Sequence, residues 1–117
     1  MDVSNNKNGV AAYCRSAVAN SAFVASQISK VKEFAQNNGL GEVRCYCDNG
    51  CSGSDLVRPA LMHLLHDVRA GKVKTVVVTD TARIARGPMW LSVVAETLAK
   101  YEAKLVPIFE NRARFAV

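Results

Sequence analysis

Arginines that follow short apolar segments, one of them beside a hydroxyl, are the residues of this chain best suited to chemistry. In the stretch YCRSA, Arg15 is followed at once by Ser16. Arg58 stands in VRPAL, and Arg83 and Arg86 stand in ARIAR. Guanidinium groups gathered in one crevice repel one another unless an anion lies between them. A phosphate suits such a crevice, because each arginine can donate two parallel hydrogen bonds to it. The spacing allows an alternative equally well, in which the arginines form surface salt bridges with Asp48, Asp55 and Asp80.

The segments that must position these residues alternate between strand and helix patterns. The apolar stretches GVAAYCR, EVRCYC, TVVV and KLVPIF predict four strands, and Pro107 in the last one indicates a sheet edge. Three helices are predicted between the strands from apolar residues at helical spacing. Their inward faces are expected to hold Val24, Ile28, Val31 and Ala35, then Leu61, Leu64, Leu65 and Val68, then Leu91, Val94, Ala95 and Leu98.

This order of elements predicts the fold class. Strand and helix alternation is typical of an α/β protein with three layers. We expect a mainly parallel sheet of four to five strands with helices on both faces, in a flavodoxin-like arrangement. In such sheets the functional crevice lies beyond the carboxyl ends of the strands. The loops CRSAVAN, CDNGCSGSDLVR and TDTARIARG should therefore meet at one rim.

Length and composition favour one soluble domain. The chain has 117 residues, of which 50% are hydrophobic, and a formal net charge of +5. We expect a flexible N-terminus over residues 1–8 and a single domain over residues 9–117. No apolar run approaches the ~20 residues of a membrane span, and no leader pattern opens the chain. A cytoplasmic location is therefore expected, and the mild positive charge favours polyanionic partners.

Four cysteines raise the question of a metal site. Cys14, Cys45, Cys47 and Cys51 do not follow a common zinc spacing. The nearest additional ligands, His63 and His66, fall on a predicted helix. Because no secretory leader is present, disulfides are not expected, and reduced structural thiols are favoured over a metal centre.

The quoted motifs, taken in order, resemble one family. YCRSA, Gln27, DNGCSG, RPAL and ARIAR on this strand and helix frame resemble the catalytic domain of the resolvase/invertase serine recombinases. In that family a serine two residues after the first-strand arginine attacks a DNA phosphodiester, and a 5′-phosphoserine link forms. Arginines hold the phosphate and stabilise the charge of the transition state. The resemblance implies that DNA is the partner and that the reaction requires no metal or cofactor.

The resemblance also implies roles for individual residues. The catalytic residues that it implies are Arg15, Asp48, Arg58, Arg83 and Arg86, and the Ser16 hydroxyl is a candidate substitute for the nucleophile. Its phosphate-binding set is Arg15, Gln27, Ser52, Arg58, Arg83 and Arg86, with Gly53 beside Ser52. Asp48 is expected to orient one or more of the arginines.

Two positions depart from the family pattern at the reacting centre. Ala17 stands where the family has its nucleophilic serine. Ala82 stands where the family has an aspartate before the paired arginines. Ser16 lies one residue early, which reverses the direction of its side chain on a strand. Asp80 lies two residues before the missing aspartate. The pattern therefore predicts impaired strand cleavage with the arginines retained.

Three functions stay open from the sequence. The first is a DNA-binding serine-recombinase domain without cleavage, associated with recombination, integration and mobile elements. The second is a protein-interaction module that regulates an intact recombinase or pairs with another copy. The third is an active DNA phosphoryl-transfer enzyme that uses Ser16. Because the chain ends at ENRARFAV, we expect no separate DNA-binding domain.

Overall fold

The protein is described by a computed structural model that covers residues 9–52, 58–85 and 87–109. Expectations that concern residues 1–8, Gly53, Asp55, Arg86 and 110–117 lie outside the described residues. Within the described ranges, none of the helices is long and apolar enough to cross a membrane.

Four parallel strands form the central sheet of the described chain. The strands are β1 (Val10–Ser16), β2 (Arg44–Asn49), β3 (Thr75–Val78) and β4 (Lys104–Pro107), and the helices are α1 (Ser21–Asn37), α2 (Pro59–Arg69) and α3 (Pro88–Lys100). Neighbouring strands follow the order β2-β1-β3-β4, and every pair is parallel. The edge position predicted from Pro107 is confirmed, because β4 is the last strand of this order.

Helices cover both faces of the sheet, as predicted. The alternation of side chains along β1 directs Ala11 and Tyr13 to a core shared with α2 and α3. Val10, Ala12 and Cys14 point to the other face, where they pack against α1. The three-layer α/β class expected from the sequence is confirmed.

Several details differ from the sequence prediction. Ala95 was expected to face inward but is exposed, because the buried stripe of α3 runs through Val94 and Leu98. The fourth strand ends at Pro107, two residues before the predicted end. Strands β1 and β2 extend to Ser16 and Asn49, which pair with each other, while the backbone N–H groups of Gly50 and Cys51 donate to the Ser16 carbonyl. Ser16 is consequently a strand residue rather than a loop residue.

Candidate functional site

A cavity opens at the carboxyl ends of β1 and β3. These strands are neighbours, and in a sheet of this order the gap between them is the place where the connections diverge and a ligand can enter. The cavity has a volume of about 350 Å³. It is lined by Arg15, Ser16, Ala17, Val18, Phe23, Ala82 and Arg83. Five of the residues that the sequence singled out are thus brought together.

Arg15 is the last charged residue of β1, and it is 2% exposed. Its Nη2 donates to the Ala82 carbonyl at 2.6 Å and its Nε donates to the Arg83 carbonyl at 2.9 Å. Its Nη1 donates to the Cys51 carbonyl at 3.0 Å. An anion was expected between the arginines, but backbone carbonyl oxygens supply the negative ends of dipoles around this guanidinium instead. Arg15 therefore ties the end of β1 to the segments that follow β2 and β3.

Arg83 reciprocates this contact from a single 3₁₀ turn, Thr81–Arg83. Its Nη1 donates to the Arg15 carbonyl at 2.7 Å, and its Nε lies 3.4 Å from Oδ1 of Asp80. This contact between Arg83 and Asp80 is one of the salt bridges that the sequence allowed as the alternative to a phosphate site. Within the described part of the chain, no acceptor is hydrogen-bonded to Nη2 of Arg83. In this part of the structure, Nη2 of Arg83 thus keeps donor capacity for a ligand.

Arg58 is fully buried behind the cavity. Its Nη2 donates to the Tyr13 hydroxyl at 3.0 Å and to the Arg83 carbonyl at 2.9 Å, and its Nε donates to the same hydroxyl at 3.2 Å. The Tyr13 hydroxyl in turn donates to Oδ2 of Asp48 at 2.7 Å. Burial and the bond to Asp48 raise the pKa of Tyr13 well above its ordinary value, so the phenol keeps the proton it donates. The expected link between Asp48 and an arginine therefore includes Tyr13.

Gln27 lies on α1 and is buried beneath β1. Its Oε1 accepts from the Arg15 N–H at 3.1 Å, and its Nε2 donates to the Arg15 carbonyl at 2.9 Å. It does not line the cavity. The phosphate contact predicted for Gln27 stays a prediction, and the contacts seen here hold the backbone of Arg15 in place.

Ser16 lines the cavity, but its hydroxyl is engaged. It is 5% exposed, and its Oγ donates to the carbonyl of Val18. Ala17 and Ala82, which replace the nucleophile and the aspartate of the family pattern, line the same cavity. Asp80, the other candidate substitute, lies outside this lining and pairs with Arg83.

The remaining site candidates lie at the margin of the described structure. Ser52 follows β2 and is half-buried. Gly53 and Arg86 fall outside the described residues. Their roles in phosphate binding stay predictions.

The four cysteines are free thiols. Burial raises the pKa values of Cys14, Cys45 and Cys47, which disfavours the reactive thiolate. Among the described residues, no three cysteine, histidine or acidic side chains are arranged to hold a metal ion. Nε2 of the exposed His63 instead lies 3.4 Å from Oδ2 of the buried Asp67 on α2.

Two residues of the site were missed by sequence reasoning. Tyr13 carries a hydroxyl group within the buried strand β1. A buried hydroxyl needs a hydrogen-bond partner, so the position of Tyr13 two residues before Arg15 was a signal that could have identified it as a site residue. Phe23 lies beside, rather than within, the apolar stripe of α1. Its ring lies 5.2 Å from the guanidinium carbon of Arg83.

Comparison with known proteins agrees with this geometry. The family "Resolvase, N terminal domain" matches residues 10–115. A Bacillus subtilis (strain 168) protein named "Putative DNA recombinase" is 31% identical over 98 residues, which are 83% of this chain and 20% of that protein. The chain thus spans about a fifth of the length of this relative.

Solved structures give the same result at the level of fold. The N-terminal catalytic domain of TP901-1 integrase superimposes with a TM-score of 0.77 and 28% identity, covering 85% of this chain and 76% of the other. A resolvase family site-specific recombinase from Streptococcus pneumoniae superimposes with a TM-score of 0.71 and 24% identity, covering 85% and 72%. The chain belongs to the resolvase family of serine recombinases and has the fold of their catalytic domain.

Proposed function

We propose that this domain binds the phosphate backbone of DNA at the β1–β3 cavity and does not cleave it. The observation that carries the proposal is the cavity itself. Arg15 and Arg83 are held in fixed positions there, while Ala17 and Ala82 occupy the two positions where the family pattern places reactive groups. The arrangement keeps the groups that attract a phosphodiester and lacks those that react with it.

Charge and similarity support the choice of DNA as the anion. The chain carries a net charge of +5, and among the described residues Nη2 of the cavity residue Arg83 has no acceptor. The relatives include an integrase and a protein named as a DNA recombinase. A role in recombination or integration of mobile DNA, together with an intact recombinase or a second copy of this chain, is consistent with these names.

Replacement of Arg83 tests the binding role. Arg83→Ala should weaken binding of a fluorescein-labelled duplex and lower the slope of log K against log salt by about 0.9, the value for one lost phosphate contact. The measurement is fluorescence anisotropy over a salt series, with circular dichroism to verify the fold of each variant.

The matched control is Arg69→Ala. Arg69 is an exposed arginine in the last turn of α2, at the other end of that helix from Asp48 and Arg58. Both variants lose one positive charge, so a site-specific contact predicts a loss for Arg83→Ala alone. Equal effects of the two variants, or no effect of Arg83→Ala, would show that Arg83 does not hold DNA.

A second experiment tests the absence of cleavage. The protein should form no covalent adduct with a randomised library of nicked duplexes, because the Ser16 hydroxyl is buried and bonded to the Val18 carbonyl. Adducts are scored as a mobility shift that survives denaturing electrophoresis. An adduct that disappears in Ser16→Ala would establish Ser16 as a nucleophile and overturn this part of the proposal. Ala17→Ser serves as the comparison with a hydroxyl at the family position.

A further inference from the structure

The cavity has apolar as well as polar walls. Four of its seven lining residues, Ala17, Val18, Phe23 and Ala82, present hydrocarbon, and the Ser16 hydroxyl is turned to a backbone carbonyl. The oxygen atoms of a phosphodiester suit the polar part of this lining, and the apolar part is left for another group. A volume of about 350 Å³ lies in the range of pockets that enclose small organic groups, about 300–1,000 Å³.

Phe23 is the aromatic part of this lining. It is 42% exposed, although an aromatic ring of this size is normally more deeply buried in a small domain. Its backbone N–H donates to Oδ1 of Asn20, the N-cap of α1, so the first helical turn fixes its position. Val18, on the loop just before this turn, is 78% exposed. Together these two residues form an apolar lip beside the Arg83 guanidinium.

An exposed aromatic ring beside an arginine is the arrangement that binds an unpaired nucleotide. A nucleobase stacks on the ring and the guanidinium, while the neighbouring phosphate accepts hydrogen bonds from the arginine. In a duplex the bases are paired and stacked, so only the phosphates of intact DNA are presented to this lip.

We propose that the cavity binds a nucleotide of single-stranded DNA, with its base on Phe23 and its phosphate on Arg83. This inference rests on the proposed DNA binding at the same cavity and adds a preference for unpaired DNA. With alanine at positions 17 and 82, the site on this account accepts a base as well as a phosphate.

Replacement of Phe23 tests the inference. Phe23→Ala should weaken binding of a labelled dT12 oligonucleotide about tenfold, equal to about 1.4 kcal/mol for one stacked base. Binding of a 12-base-pair duplex should stay within twofold, because the duplex does not present a free base. Phe23→Trp should retain the affinity for dT12, since it keeps an aromatic surface. Met62→Ala, which removes a side chain of similar exposure on α2, should affect neither ligand.

The outcomes separate this inference from the proposed function. If Arg83→Ala weakens both ligands and Phe23→Ala weakens neither, DNA binding stands and base stacking is wrong. If Phe23→Ala weakens both ligands equally, the ring acts only by holding Arg83, and the inference is overturned. If Arg83→Ala weakens neither ligand, the proposed function fails and the inference fails with it, which leaves the apolar lip as a surface for a protein partner.

Discussion

At the scale of the residue, Arg15 shows how a charged side chain is accommodated without exposure to water. A buried cation is costly unless polar groups replace its hydration shell. Carbonyl groups from the loops after β2 and β3 do so here, at 2.6–3.0 Å. The arrangement depends on three donor nitrogens in one plane, Nε, Nη1 and Nη2, a geometry that lysine lacks. Arg15 is therefore as much a structural tie as a candidate phosphate ligand.

Tyr46 permits a test of burial at one residue. Its hydroxyl donates to Oδ2 of Asp67 at 2.5 Å, and burial together with this bond raises its pKa to about 12. Because the folded pKa lies above the unfolded value of about 10, the stability it contributes is complete below pH 10 and is lost as the pH rises towards 12. The free energy of unfolding should fall by up to about 1.4 kcal/mol per pH unit there.

Urea unfolding of the wild type and Tyr46→Phe between pH 8 and 11 measures this effect. The variant should show a shallower decline than the wild type above pH 10, whatever its stability at pH 8. Tyr101→Phe, at an exposed tyrosine of the α3–β4 turn, is the control and should follow the wild-type slope. Parallel curves for the wild type and Tyr46→Phe would contradict the assignment.

At the scale of the element, α2 receives its N-terminal cap from another strand. The N-cap residue Arg58 makes no side-chain capping bond. Asp48 of β2 accepts instead from the N–H groups of Ala60 and Leu61, at 2.9 and 3.0 Å. A carboxylate at the positive end of a helix dipole is favourable, and here it also fixes where α2 begins relative to the cavity.

Replacement of this cap should destabilise the whole domain. Asp48→Asn removes one acceptor oxygen and places an NH₂ group against donors, at a cost of about 2–3 kcal/mol in the free energy of unfolding. Asp80→Asn, at a half-exposed carboxylate with one 3.4 Å contact, should cost less than about 1 kcal/mol. Equal losses in urea unfolding would mean that Asp48 does not cap α2.

At the scale of the whole molecule, the sequence predicted the layers and the rim but not the contacts across it. The apolar run of β1 predicts burial on both faces, and apolar periodicity determines the buried face of α2, so the sheet and its helices followed from residue type. The carbonyls that surround Arg15 have no sequence signature, because every residue carries one. The exposure of Phe23 likewise depends on how α1 is rotated against the sheet. The motifs therefore predicted where the site lies. The hydrogen-bond partners of its residues could be identified only from the structure.

The immobility of Arg83 has an entropic consequence for the molecule. A guanidinium on an open surface samples many rotamers, and ordering such a long side chain costs up to about 2 kcal/mol. Arg83 is already restrained by a carbonyl, a carboxylate and an aromatic ring. Arg83 thus loses most of its side-chain conformational entropy when the chain folds. Binding of an anion in the cavity then costs little further entropy at this side chain.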